Sequence, residues 1–148
     1  MHAAPARDQD RLTIGADELR FRVTSADSDG ALLAFDIRMP PGGGPPALHR
    51  HDPAELYRVE SGEFAFYIGR EDGSVRRSTA GAGEVVAIPG GREHTVRNES
   101  TTDAAAFVVL APGMEFESFV RGAAGSDDVA ALAAAHGVEI TRPLEAIR

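Results

Sequence analysis

The sequence contains no cysteine in its 148 residues. A disulfide framework, a thiolate metal ligand and a cysteine nucleophile are therefore all excluded. It also lacks any apolar run near the ~18 residues that indicate a membrane-spanning helix. The first 12 residues are polar, with no apolar stretch after the basic residue, so they predict no secretory signal. We therefore expect a cytoplasmic protein.

Positive charge is scarce, because 15 basic residues stand against 23 acidic ones and the net charge is −8. The basic residues are scattered, and Arg76 and Arg77 form the only adjacent pair among them. A negative surface repels phosphate backbones and anionic lipid. We therefore expect a small-molecule substrate as partner, with no nucleic acid and no membrane.

The pattern of apolar residues predicts an all-β domain. Residues 1–18 show no periodicity and predict a flexible N-terminal arm. Over residues 19–112, short alternating or apolar segments are separated by Gly, Pro, Asn, Asp and Ser, which is typical of an antiparallel sandwich or barrel. The predicted strands span about 19–24, 31–39, 47–51, 55–60, 63–69, 74–78, 84–88, 94–98 and 104–111.

The last part of the chain, residues 113–148, predicts a short α-helical C-terminal tail that packs on the barrel. Apolar residues at helical spacing indicate a first helix over 114–121. Ser126 is a favourable N-cap for a second helix, and Gly137 is a suitable residue to end it.

One predicted strand, residues 104–110, is apolar on both faces. Such a strand must be covered on two sides. The barrel interior would cover one side, and a helix, the arm or a second subunit would cover the other. We predict a C2 homodimer.

Three of the five histidines lie in two segments bracketed by glycine. The first segment reads Gly43-x5-His49-x-His51-x3-Glu55-x6-Gly62, and the second reads Gly83-x5-Pro89-x-Gly91-x2-His94-x3-Asn98. Imidazole nitrogens and a carboxylate are usual protein ligands of borderline divalent metals. We therefore predict one divalent transition metal per subunit, which could be Fe, Mn, Ni, Zn or Cu, held by His49, His51, Glu55 and His94.

Strand geometry explains how these residues can converge. Residues i and i+2 of a strand project from one face, so His49 and His51 should both point to the barrel interior. Glu55 should begin the next strand, with Tyr57 in the same inward phase. His94 must arrive from a distant strand, aimed by the turn that precedes it.

The two segments resemble the two consensus motifs of the cupin superfamily at all ten named positions, with 20 residues (63–82) between the motifs. The flanking strand pattern extends the resemblance over about residues 19–112. The resemblance implies a double-stranded β-helix, or jelly roll, in which His49, His51, Glu55 and His94 form a 3-His-1-Glu metal shell. It also implies that Asn98 is structural rather than a ligand.

A narrower resemblance concerns the stretches 45–51 and 57–63 and the tail segment 137–140. They look like the single-domain cupins grouped with flavonol (quercetin) dioxygenases. This resemblance implies an enzyme, a metal-dependent dioxygenase that acts on a small aromatic or enolisable, flavonol-like substrate together with dioxygen. The metal would polarise a substrate oxygen as a Lewis acid, and Glu55 would be the catalytic base that takes the substrate hydroxyl proton.

Two alternatives stay open on the sequence. The same site could serve a metal-dependent isomerase, decarboxylase or hydrolase, or the domain could be a non-catalytic module that binds a small molecule. A complete ligand set favours catalysis over binding alone. Either kind of protein needs an apolar pocket, whose predicted walls are Phe35, Tyr57, Phe64, Phe66 and Phe107.

Overall fold

The fold consists mainly of β-strands. The computed structural model describes residues 10–147, without the side chains of residues 114 and 115. No helix within this range is long and apolar enough to cross a membrane. The elements are β1 (Arg11–Ile14), β2 (Asp17–Val23), β3 (Leu33–Met39), β4 (Ala47–Arg50), β5 (Ala54–Ser61), β6 (Glu63–Gly69), β7 (Val75–Gly81), β8 (Val85–Ile88), β9 (His94–Arg97), β10 (Ala104–Ala111), α1 (Met114–Ala123), α2 (Val129–Ala135) and β11 (Glu139–Pro143).

The strands form two antiparallel sheets with a shared core. Six strands pair in the order β1-β2-β3-β10-β5-β8, and five pair in the order β11-β4-β9-β6-β7. Side chains from both sheets meet in this core, and its fully buried members include Leu33, Met39, Phe64, Phe66, Ile88 and Leu110. This arrangement confirms the predicted all-β jelly roll with short C-terminal helices.

Side-chain alternation decides which residues face the interior. In β5, Glu55, Tyr57 and Val59 are buried, whereas Leu56 and Arg58 are exposed. Successive side chains of a strand point to opposite faces, and the inward phase predicted for Glu55 and Tyr57 is confirmed. β5 lies between β10 and β8, so its inward side chains reach the middle of the core.

The N-terminal prediction needs correction. Residues 1–9 lie outside the described part of the chain, but residues 11–18 belong to a β-hairpin rather than to a flexible arm. The turn between β1 and β2 contains Gly15, whose φ of 59° favours glycine. Leu12 and Ile14 pack against the core, and this burial holds the hairpin on the sheet.

Both predicted helices form, although the second begins later than expected. Asp128 rather than Ser126 is its N-cap, because the Asp128 carboxylate accepts a hydrogen bond of 3.0 Å from the backbone N–H of Ala131. Gly137, with a φ of 73°, follows the end of α2 as predicted.

The tail does not remain helical after α2. Glu139–Pro143 forms β11, which pairs with β4 and places Ile140 opposite His49. Arg142 then makes an ion pair of 2.6 Å with Glu93, just before β9. The hydrogen bond from Arg142 lowers the pKa of Glu93 to about 2. The segment after α2 therefore completes the sheet that carries two of the predicted ligands, and this strand was not among those predicted from the sequence.

Asn98 joins the end of β9 to two neighbouring segments. Its side chain is fully buried, and Nδ2 donates to the carbonyls of Met39 and Thr102, both at 2.8 Å. Its Oδ1 accepts hydrogen bonds from the backbone N–H and the hydroxyl of Ser100. These contacts give Asn98 a structural role.

Asn98→Ala is expected to lower the free energy of unfolding by about 3 kcal/mol, because buried carbonyls would lose their donor. Denaturant titration measures this change. The control is Asp72→Ala, which removes only an exposed contact with Ser74 and should cost much less. Equal losses in the two variants would contradict the structural role of Asn98.

Candidate metal centre

Three imidazole rings meet on the inner side of the five-stranded sheet. His49 on β4 lies directly opposite His94 on β9, and His51 comes immediately after Arg50, the last residue of β4. The ring centroid of His94 is 4.5 Å from that of His49 and 5.0 Å from that of His51. One ring nitrogen of each histidine lies within 4.8 Å of the other two. The structure thus brings together the three histidines predicted as ligands.

Glu55 reaches the same point from the other sheet. It is the second residue of β5 and is only 6% exposed. Its Oε2 lies 3.0 Å from Nε2 of His94 and 3.3 Å from Nε2 of His51. Glu55 therefore meets two of the three clustered histidines, His51 and His94, from the six-stranded sheet.

The outer nitrogen of each imidazole is held by the backbone. Nδ1 of His49 lies 3.3 Å from the carbonyl oxygen of Ala47. Nδ1 of His51 lies 2.9 Å from the carbonyl oxygen of Pro53. Nδ1 of His94 lies 2.8 Å from the carbonyl oxygen of Arg92. A carbonyl only accepts hydrogen bonds, so each Nδ1 donates. A neutral ring then presents the lone pair of Nε2 toward the centre, which is the usual support for a metal-bound histidine.

This donor set fits a divalent metal. Nε2 of His51 is buried and makes no well-formed hydrogen bond in the described range 10–147, with Oε2 of Glu55 3.3 Å away. Three imidazole nitrogens and one carboxylate suit borderline ions. His49, His51, Glu55 and His94 are the residues that could hold such an ion.

The charges of the site also favour a cation. Burial would raise the pKa of Glu55, but the contacts from His51 and His94 outweigh burial and hold that pKa well below its usual range. Burial and the neighbouring His94 lower the pKa of His49 to about 4. Glu55 is therefore ionised and His49 neutral near pH 7. Burial would lower the pKa of His94, but the hydrogen bond and charge of Glu55 outweigh burial and raise it. A buried carboxylate of this kind needs a positive partner, which can be the His94 imidazolium or a bound cation.

The turn before β9 links the two sequence segments. The backbone N–H of Gly91, whose φ is 76°, donates to the carbonyl of His51 at 2.8 Å. A side chain at Gly90 would place its Cβ only 2.1 Å from the carbonyl oxygen of Asp52. Glycine at these two positions therefore lets the His94 turn lie directly against the His51 segment.

Residues 35–110 match the sequence profile of the Cupin domain family. The chain belongs to the cupin family. No curated protein sequence matches it.

Solved structures similar to this cupin include oxalate decarboxylases. The Bacillus subtilis enzyme is 22% identical, with a TM-score of 0.62 over 76% of this chain and 31% of the enzyme. The Lactobacillus farciminis enzyme, in a formate complex, is 18% identical, with a TM-score of 0.63 over 75% of this chain and 33% of the enzyme. This cupin spans about a third of the length of these proteins, and likeness at such low identity shows the fold.

A cavity of about 600 Å³ adjoins the candidate metal centre of this cupin. Glu55, His49 and His94 form part of its wall, and the helices α1 and α2 close another part. The remaining wall is mostly apolar, and no Arg or Lys of the described chain lines it. A molecule in the cavity would therefore contact the centre while lying on an apolar surface.

The five predicted aromatic wall residues lie in three different places. Phe35 and Tyr57 line the cavity. Phe64 and Phe66 are fully buried behind Tyr57, with ring centroids 6.2 and 5.3 Å from its ring, so they pack the core instead. Phe107 is half-buried on β10 with the opposite phase to Val108, which points it away from the core. The wall prediction is wrong for these last three phenylalanines.

Among the wall residues that the sequence analysis missed, three bear on the chemistry of the cavity. Phe116 and Phe119 come from α1, and Asp17 comes from the start of β2. The ring of Phe116 lies 4.8 Å from that of His51. Helical spacing indicated that Phe116 and Phe119 share a face, but not what that face covers. Asp17 fell within the residues assigned to a flexible arm, although Gly15 just before it is a hairpin signal.

Proposed function

We propose that this cupin is a metal-dependent dioxygenase that acts on a small aromatic or enolisable, flavonol-like substrate. The observation that supports this function best is the cluster of His49, His51 and His94 beside an apolar cavity. Glu55 lies against two of these histidines. A bound divalent ion would supply Lewis-acid activation of a substrate oxygen. The identity of the ion would follow availability among Fe, Mn, Ni, Zn and Cu.

The chain's own residues would position and deprotonate the substrate. The carbonyls that accept from each Nδ1 fix the three rings, and the apolar wall excludes water from the reacting group. Glu55, ionised at neutral pH, would accept the proton of the substrate hydroxyl. Its low pKa comes from contacts with His51 and His94, so Glu55 becomes a stronger base as the substrate hydroxyl replaces those contacts.

The cavity favours a neutral ring compound over a small dianion. Its wall has no Arg or Lys in the described chain, and it includes the carboxyl groups of Asp17 and Glu55. A divalent ion with two carboxylates gives no net positive charge to attract a dianion. Stacking and burial against Phe35 and Phe116 would instead stabilise an aromatic substrate.

Metal-dependent decarboxylation is the second candidate. The solved structures that resemble this cupin include oxalate decarboxylases, and the same four residues could hold the ion for that reaction. The two candidates differ in their products, because a dioxygenase consumes dioxygen whereas a decarboxylase releases carbon dioxide without net loss of oxygen.

Elemental analysis of the purified protein, followed by a substrate panel, tests the proposal. We expect about one transition-metal ion per chain and oxygen uptake with hydroxylated flavonols. Carbon dioxide release from oxalate without oxygen uptake would favour decarboxylation. Bound metal with no turnover of either class would favour an isomerase or a binding module and would contradict the dioxygenase.

We also propose that two copies of the chain pair through the outer face of the six-stranded sheet. Leu56 and Val85 are 37% and 56% exposed there, beside the half-buried Phe107 and Val109. Arg58 and Asp36 face outward on either side of Phe107 in the strand register. Opposite charges flanking an apolar centre form a self-complementary surface of the kind that a two-fold interface requires.

A mass measurement by light scattering at micromolar concentration tests this dimer. We expect the mass of two chains for the unaltered protein and of one chain for Leu56→Glu, because the new charge would be buried in the interface. Arg76→Glu on β7, in the other sheet, introduces the same charge at an exposed site and should remain dimeric. A monomer mass for the unaltered protein would reject the interface.

A further inference from the structure

Asp17 is a buried acidic residue with one carboxylate oxygen that has no hydrogen-bond partner in the described residues. It begins β2, is 8% exposed and lines the cavity beside the candidate metal centre. Its Oδ1 is one of the buried side-chain oxygens in residues 10–147 that have no hydrogen-bond partner. Leaving such an oxygen unpaired in a folded protein is costly, so its presence calls for an explanation.

The surroundings of Asp17 do not neutralise it. Burial raises the pKa of its carboxyl group, and the Gly44 amide and the charge of Arg97 oppose that shift only in part. Arg97 donates instead to the carbonyls of Gly42 and Gly44. Glycine at position 43 leaves space for this carboxylate, because a Cβ atom there would lie 2.5 Å from Asp17 Oδ1.

Tyr57 lines the same cavity as Asp17 and Glu55. The cavity has one polar region at Glu55 and the histidines and a second at Asp17, and Leu19, Phe35 and Ile37 are among the apolar residues of the same wall.

We propose that Asp17 is a specificity-determining residue that accepts a hydrogen bond from a hydroxyl or N–H group on the ligand other than the group that meets the metal centre. The inference rests on the proposed function for its substrate class, a neutral ring compound. It adds that the preferred substrate carries a second donor, and that the energetic cost of an unpaired carboxylate is offset only when this donor is bound.

Two matched probes test the proposal by binding rather than by turnover. The probes are 3-hydroxyflavone and quercetin, which share the chelating oxygens but differ in ring hydroxyls. Calorimetric titration is performed with Zn²⁺-loaded protein in the absence of oxygen, because zinc undergoes no redox change. We expect quercetin to bind about tenfold more tightly, as one hydrogen bond to a charged acceptor allows.

Substitution of Asp17 should remove this preference. We expect Asp17→Asn to reduce it to about threefold and Asp17→Ala to abolish it, with the affinity for 3-hydroxyflavone unchanged. Asp29→Asn, in an exposed turn, is the control and should keep the full preference. An equal preference in the unaltered protein and Asp17→Ala would overturn the proposal, as would failure of both probes to bind.

The melting temperature of the ligand-free protein provides a second measurement. Removing an unpaired buried carboxylate should raise it, so we expect both Asp17 variants to melt above the unaltered protein. A lower melting temperature would mean that Asp17 supports the fold, and would overturn the proposal. If the preference depends on Asp17 but no oxygen is consumed with quercetin, the dioxygenase function fails while this inference stands.

Discussion

His94→Ala is expected to bind metal at least about 100-fold more weakly than the unaltered protein. Loss of a hydrogen-bond partner of a metal ligand can already weaken metal binding to this extent. The ring of His94 is 2% exposed and lies between those of His49 and His51 and the carboxylate of Glu55. Among residues 10–147, it is one of the three histidines grouped closely enough to hold an ion. Elemental analysis after dialysis against a weak chelator measures the loss.

The control for this substitution is His136→Ala. His136 follows α2, and its Nδ1 donates to the carbonyl of Leu132 at 3.0 Å. It is outside the group of histidines that could hold a metal, so its replacement should leave the metal content unchanged. Full metal occupancy in His94→Ala would contradict the assignment of the centre.

Glu55→Gln is expected to reduce oxygen uptake at least about 100-fold, the scale of a lost general base, while metal stays bound to the three histidines. Glutamine has nearly the shape of glutamate, but its amide cannot accept the substrate proton. Oxygen uptake with a hydroxylated flavonol and metal content are measured on the same preparation. Unchanged turnover would rule out the base role.

Metal loss in Glu55→Gln has a different meaning. It would show that Glu55 is needed to hold the ion. It would also contradict the expectation that the three histidines alone are sufficient to bind the metal. Glu63→Gln is the matched control, because Glu63 is exposed at the start of β6 and touches none of the four residues. Its turnover and metal content should equal those of the unaltered protein.

The sequence was sufficient for the site because its residues obey a local rule. A strand alternates its side chains, so the phase of Glu55 and Tyr57 followed from spacing alone. His49 and His51 also converge as predicted, although β4 ends at Arg50 and His51 lies beyond it. The two-residue spacing survives there because the Gly91 amide holds the carbonyl of His51.

The sequence was insufficient where burial depends on distant contacts. Phe64 and Phe66 share one phase of β6, and spacing alone cannot say whether that face meets a cavity or a packed core. Phe107 lies in a strand that is apolar on both faces, so its direction depends on register with β3 and β5. The position of Asp17 in the cavity wall could be predicted only with the knowledge that β1 and β2 pair at the edge of the six-stranded sheet.

The pairing of β11 with β4 has a kinetic consequence. The helices α1 and α2 close the cavity, and the segment that carries them is attached at both ends, to β10 before α1 and to β4 through β11. A segment held at both ends cannot swing away from a single hinge. The helical part of the cavity wall therefore changes position only when the helical pair shifts as a unit or the sheet edge at β11 opens. Such changes should become rarer as that edge is made more stable.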